Sequence, residues 1–137
     1  MSGVADEDDA LLRAFESGVV PDGGFHHAQH VRVAWNYLRT RPLPSALARL
    51  QARLRAFAQA RAQPGLYHET ITVAYVLLIA ERLHGAPADE GWDAFAARNA
   101  DLLAWKPSIL DRYYRPETLW SERARASFVM PDRLSDR

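Results

Sequence analysis

Apolar residues recur along this chain with a helical period, and nowhere do they alternate as in a half-buried strand. Residues 5–17 put Leu11, Leu12 and Phe15 on one side. Acids occupy the first turn, where they complement the helix dipole, and Gly18 is the stop signal. After a VVPDGGF loop, residues 26–39 carry Val31, Ala34, Trp35 and Leu38 at the spacing of a buried face, and RPLP ends that run. Residues 45–62 repeat the pattern, with Leu47, Leu50, Leu54 and Phe57 inward and arginines outward, up to the break at Gln63-Pro64-Gly65. Residues 66–84 are apolar on nearly every side, which predicts the central helix, closed by Gly85-Ala86-Pro87.

The last third is divided into smaller pieces. A helix is expected over 89–99, carrying Trp92, Phe95 and Ala96. Pro107 suits the first position of a short helix ending near Tyr113, and Pro116 and Ser121 open two more, the second running to about Val129. The expected architecture is all-α: a compact helical bundle of five to seven helices in one domain over residues 5–130, with 131–137 as a loose tail.

Composition narrows the chemistry. The 137 residues are 48% hydrophobic and 25% charged, ordinary for a globular domain able to bury one core. Cysteine is absent, which excludes disulfides, iron–sulfur clusters and thiolate zinc; a metal would need His and carboxylate ligands. The start, MSGVADEDDALL, has no apolar run after a basic segment, so no signal peptide is expected, and the longest apolar stretch, 71–80, is too short for a membrane span. The reading is a soluble, cytoplasmic protein with no membrane partner.

Net charge is zero but unevenly placed. Asp6, Glu7, Asp8, Asp9, Glu16 and Asp22 crowd the start, whereas no acid falls between Gly23 and His68, a segment holding Arg32, Arg39, Arg41, Arg49, Arg53, Arg55 and Arg61. Such a pattern fits an acidic first helix near a basic third one, with solvated outer faces; it also fits a basic surface for an acidic partner or an anionic substrate. Nucleic acid is not expected: Trp35, Trp92, Trp105 and Trp120 lie on different helices and suit core or rim packing better than a base-stacking platform. A homodimer is compatible with four tryptophans, but no heptad seam demands one.

Three of the five histidines crowd into GGFHHAQHVRVAW. Residues three or four apart share a helix face. His27 and His30 therefore lean together toward the core, four before Val31 and Ala34, with His26 nearer the edge. A second cluster, Tyr67-His68-Glu69-Thr70, opens the central helix. If three successive helices run antiparallel through the short turns RPLP and QPG, the first and third start at the same end of the bundle. His27, His30, His68 and Glu69 then converge.

Three chemistries suit such a convergence. Neutral imidazoles with a carboxylate bind one divalent transition metal, zinc, iron, manganese or copper, leaving a position open for water or substrate. Alternatively, Glu69 or Tyr67 works with His68 in metal-free acid–base catalysis, a helix N-terminus favouring the neutral imidazole. Free N–H groups at two helix starts also attract anions, and that field counts against a bare cation. The competing reading is structural: histidines hydrogen-bonded in the core, with Glu69 as a first-turn acid.

Other motifs lead nowhere. Glu81-Arg82-Leu83-His84 matches the Glu-x-x-His of di-iron bundles, but it stands alone, about 20 Å along the helix from His68. HExxH, Gly-rich phosphate loops and Ser nucleophile elbows are absent. The combination F-H-H-x-x-H-V at 25–31, Y-H-E-T-I-T at 67–72 and R-Y-Y followed by L-W-S-E-R-A-R within 112–125 resembles a family of small uncharacterised bacterial helical proteins. That resemblance spans about residues 25–132 and implies an independent small domain; it implies no activity.

The expectation is thus a small enzyme acting on a small molecule, anions among the candidates. Its ligands for a metal would be His27, His30 and His68, its catalytic groups Glu69, Tyr67 and His68, and its substrate-binding cation Arg32, with the metal-dependent version slightly favoured. The rival is a non-enzymatic adaptor whose basic third helix meets an acidic partner while the histidines stay in the core.

Overall fold

The computed structural model describes residues 3–18 and 25–133. The side chains of residues 3–7 and of Pro64 lie outside that description, as do the 19–24 part of the expected loop and residues 134–137 of the expected tail. The described chain is an all-helical bundle without strands, its only bridge pairing Trp105 with Ser108. Eight α-helices follow in order: α1 Gly3–Ser17, α2 His27–Thr40, α3 Leu43–Ala60, α4 Glu69–Leu83, α5 Trp92–Arg98, α6 Ala100–Leu103, α7 Pro116–Leu119 and α8 Glu122–Ala126. Two 3₁₀ turns, Pro64–Leu66 and Ile109–Arg112, fall between them.

Helix ends follow their local chemistry. Gly18 and Gly85 close α1 and α4 with positive φ of 82° and 80°, which only glycine adopts without strain. The helix count exceeds the expected range because Asn99 leaves helical geometry (φ −127°, ψ 44°), splitting α5 from α6. Its buried side chain donates back to the Phe95 carbonyl at 2.9 Å. Pro107 does not open a helix; the turn begins at Ile109, where the Ser108 hydroxyl accepts the Leu110 N–H at 3.1 Å. The central helix starts at Glu69 rather than residue 66, because His68 is extended (φ −131°, ψ 110°) and caps it.

α4 is the centre of the fold, packed against α2, α3, α6 and α8, while α1 lies on α2. Phe15, Val33, Trp35, Val76, Ile79 and Leu102 are fully buried between them. Burying one such side chain favours folding by roughly 1.5–3 kcal/mol, so the six together are a main source of stability. Among the described residues no helix is long and apolar enough to cross a membrane.

Asp132 and Arg133, within the expected tail, are hydrogen-bonded to the bundle. The N–H groups of Asp132 and Arg133 donate to the Tyr113 carbonyl at 3.0 and 2.9 Å, and the Asp132 carboxylate accepts from Arg115 N at 3.0 Å and from the Thr118 hydroxyl.

Candidate functional site

α2 and α4 start at the same end of the bundle, and two adjoining cavities open there. One, of about 380 Å³, is lined by His30, Tyr67 and His68 together with Phe25, Phe57 and Leu66. The other, of about 420 Å³, is lined by His26, His27 and His30 with Tyr75 and Val76. Leu54, Ile71, Thr72 and Trp105 form walls of both. Each lies within the size range of a small-molecule pocket, and no acidic side chain lines either one.

The three core-facing histidines do different jobs. His68, 6% exposed, uses both ring nitrogens on backbone. Its Nδ1 accepts the Ile71 N–H at 3.1 Å, capping α4, and its Nε2 lies 2.7 Å from the Leu119 carbonyl oxygen in α7. A carbonyl only accepts, so Nε2 carries the proton and the ring is neutral. Burial lowers its pKa, and the Arg125 charge acts the same way, while the bond to Leu119 opposes them. His27 is held similarly: Nε2 donates to the Leu102 carbonyl of α6 at 2.8 Å, and the ring lies against Tyr75 and Trp105 at 4.7 and 4.8 Å between centroids. Burial again lowers its pKa, against the opposing effect of that hydrogen bond.

His30 differs. Its ring packs near Phe15 and Phe25, at 6.3 and 6.2 Å, and makes no hydrogen bond among the described residues. It lines both cavities. Burial, reinforced by the neighbouring His27 and His26, pushes its pKa down to about 4 from an ordinary 6.5, so at neutral pH it offers one N–H and one lone pair to whatever fills the space. His26 stands at the start of α2, exposed, with its backbone N–H given to the Gln29 side chain.

Glu69 faces α3 and is not among the residues lining the cavities. Its carboxylate accepts from the Tyr67 hydroxyl, from Gln51 Nε2 at 2.9 Å and from Arg55 Nη2 at 3.2 Å. Tyr67 presents its ring to the first cavity but gives its hydroxyl to Glu69, and Arg55 sits 4.7 Å over that ring. Burial and then the Glu69 carboxylate raise the Tyr67 pKa, so it remains a phenol. Arg32 points to the opposite side of α2: Nε meets Asp8 at 2.6 Å and the guanidinium lies 5.4 Å over Trp92.

The cations that reach the first cavity are Arg61, at the end of α3, and Arg125, on α8. Trp105 and Trp120 flank its mouth. Hydrophobic periodicity carries no signal for these four, since all four lie outside the long helices. Arg125 and Trp120 do fall inside the L-W-S-E-R-A-R segment that marked the resemblance.

The donor set fits a resident metal poorly. Among the described residues no three His, Asp or Glu side chains stand close enough to hold an ion together. His68 has no free nitrogen, and Glu69 is turned toward Arg55. The chain matches no protein-family model, no curated protein and no solved structure.

Proposed function

We propose that the protein takes a small, largely apolar molecule into the paired cavities and acts on it through His30. One observation carries this reading: His30 is the core-facing histidine whose ring has no hydrogen-bond partner among the described residues, and it borders both cavities. A neutral imidazole in an apolar, partly closed space serves as hydrogen-bond donor, acceptor or general base toward a bound molecule. His68, Tyr67 and Glu69, expected as catalytic groups, support the walls instead of supplying reacting atoms. This reading favours the metal-free version of the chemistry, because a transition metal bound through His68 would have to displace the bonds to Leu119 and Ile71.

The adaptor reading has less behind it. Its basic third helix is largely engaged within the chain: Arg49 with Glu16, Arg55 with Glu69, and Arg53 Nε with the Phe15 carbonyl. The two are told apart by a mixed-metabolite incubation read by mass spectrometry, run on wild type and on His30→Gln. Turnover of one compound that His30→Gln abolishes supports an enzyme acting through His30. Retention of a compound without turnover indicates a binding protein at the same cavity. The absence of both turnover and retention would contradict a ligand site there.

A further inference from the structure

We propose that the occupant of these cavities is a small aromatic monoanion, its anionic group held by Arg61 and Arg125 and its ring laid against Trp105 and Trp120. The proposal rests on the reading of the cavities as a ligand site and specifies what that ligand is.

Charge is the first observation. Some arginines meet carboxylates within the chain, Arg49 with Glu16, Arg55 with Glu69, Arg82 with Asp101 and Arg98 with Glu90, and others, such as Arg39 over Trp35 and Arg41 over Tyr37, lie on aromatic rings; Arg61 and Arg125 are set apart by lining the cavity. Arg61 and Arg125 have no carboxylate partner among the described residues, and the walls beside them hold no acid. Arg125 is anchored by one nitrogen only: Nη1 donates to the Gly65 carbonyl at 2.7 Å. That bond fixes the guanidinium at the mouth and leaves its other N–H groups for an acceptor, and a guanidinium fork matches a carboxylate or sulfonate well. Two unneutralised cations beside an apolar cavity favour an anion over a neutral or cationic occupant.

Exposed apolar surface is the second. Leu66, Trp105 and Trp120 are 58, 39 and 53% exposed, and all three border the first cavity. Large apolar side chains gathered around one opening mark a surface that is covered in use. The opening leads into a concave space of small-molecule size, so a ligand that enters covers more of this surface than a flat partner would. Two indoles at the rim favour a ring over a flexible chain. Trp105 continues the wall into the second cavity, where His27 and Tyr75 stand beside it, giving the ring a further aromatic lining.

The test uses two fluorescent probes of nearly the same shape: anilinonaphthalenesulfonate, a monoanion, and phenylnaphthylamine, its neutral counterpart. Wild type should bind the anionic dye about tenfold more tightly than the neutral one, the scale of one charge-assisted contact. Added salt should weaken the anionic dye alone. Arg61→Gln with Arg125→Gln should bring the two affinities level without weakening the neutral dye. Since Arg125→Gln removes the bond to Gly65, Arg61→Gln alone, at an exposed position, should reduce the preference while leaving the melting temperature unchanged. Equal affinities in wild type, or a preference that survives both substitutions, would overturn the anionic class and leave the cavity reading standing. Failure of both dyes to bind would overturn both. A wild-type dimer that Trp120→Ser dissolves, with neither dye bound, would assign the rim to a second copy and overturn both as well.

Discussion

The four long helices and the short helices after residue 91 are held by different physics. α1 to α4 are 15, 14, 18 and 15 residues long and bury continuous apolar faces. α5 to α8 have 7, 4, 4 and 5 residues, far below the roughly 12–15 at which an isolated helix becomes even marginal. Beyond apolar contact, the short pieces are tied down by side chains of α2 and α4 reaching into their backbone. His27 takes Leu102 of α6, His68 takes Leu119 of α7, and the fully buried Thr70 hydroxyl donates to Ser127 O at 2.8 Å and accepts Val129 N at 3.1 Å. His27 and His68 therefore fasten the two regions together. His30, which fastens nothing, faces the cavity between them.

Cutting a fastener is the strongest way to break this comparison. His68→Ala strands a part-buried N–H at Ile71 and a buried carbonyl at Leu119 and should destabilise the protein by about 3 kcal/mol in urea unfolding, at roughly 1–3 kcal/mol per unsatisfied buried group. The α7–α8 region should then exchange its amide hydrogens faster than α2 and α4. Uniform exchange across both regions would contradict the division.

Acid probes the other role. A histidine in the unfolded chain binds a proton near pH 6.5, whereas folded His30 does so only near 4. Between those values the unfolded state holds more protons, so stability present above about pH 6.5 is lost as pH falls toward 4. His27 and His68 contribute in the same direction, from their own lowered values. His30→Phe removes the His30 share: at neutral pH its stability should stay close to wild type, and at pH 4.5 it should retain about 2 kcal/mol that wild type loses. Parallel loss in both proteins would show that His30 is not held neutral.

The smallest expected effect comes from His27→Phe. The ring packing against Tyr75 and Trp105 is kept, only the bond to Leu102 is lost, and the cost should be about 1 kcal/mol in the same unfolding measurement. A cost equal to that of His68→Ala would mean that the capping bond to Ile71 adds nothing.

The long helices are legible in the chain because their apolar spacing repeats over many turns. Leu50, Trp35 and Phe15 are all buried as the period requires. The shared end of α2 and α4 is legible too, since two short turns leave antiparallel neighbours no other course, and His30 and His68 do line one cavity. Periodicity says nothing about which carbonyl a buried imidazole finds 51 or 75 residues away, and those contacts decide whether a histidine is free. Nor does it place Arg32, whose side chain follows Asp8 across to α1 and away from the cavity. Arg61 and Arg125 reach the site through a helix end and a five-residue helix, where no apolar rhythm points.

The division of labour among the three histidines is tested most directly by a long-range proton–nitrogen spectrum of the imidazoles at pH 7, with and without phenylnaphthylamine. His27 and His68 should appear as neutral rings protonated at Nε2, with shifts that the dye leaves nearly unchanged, and His30 as a neutral ring whose nitrogen shifts move as the dye binds. Movement of the His68 nitrogens with His30 unchanged, or a His30 ring already charged at pH 7, would contradict it.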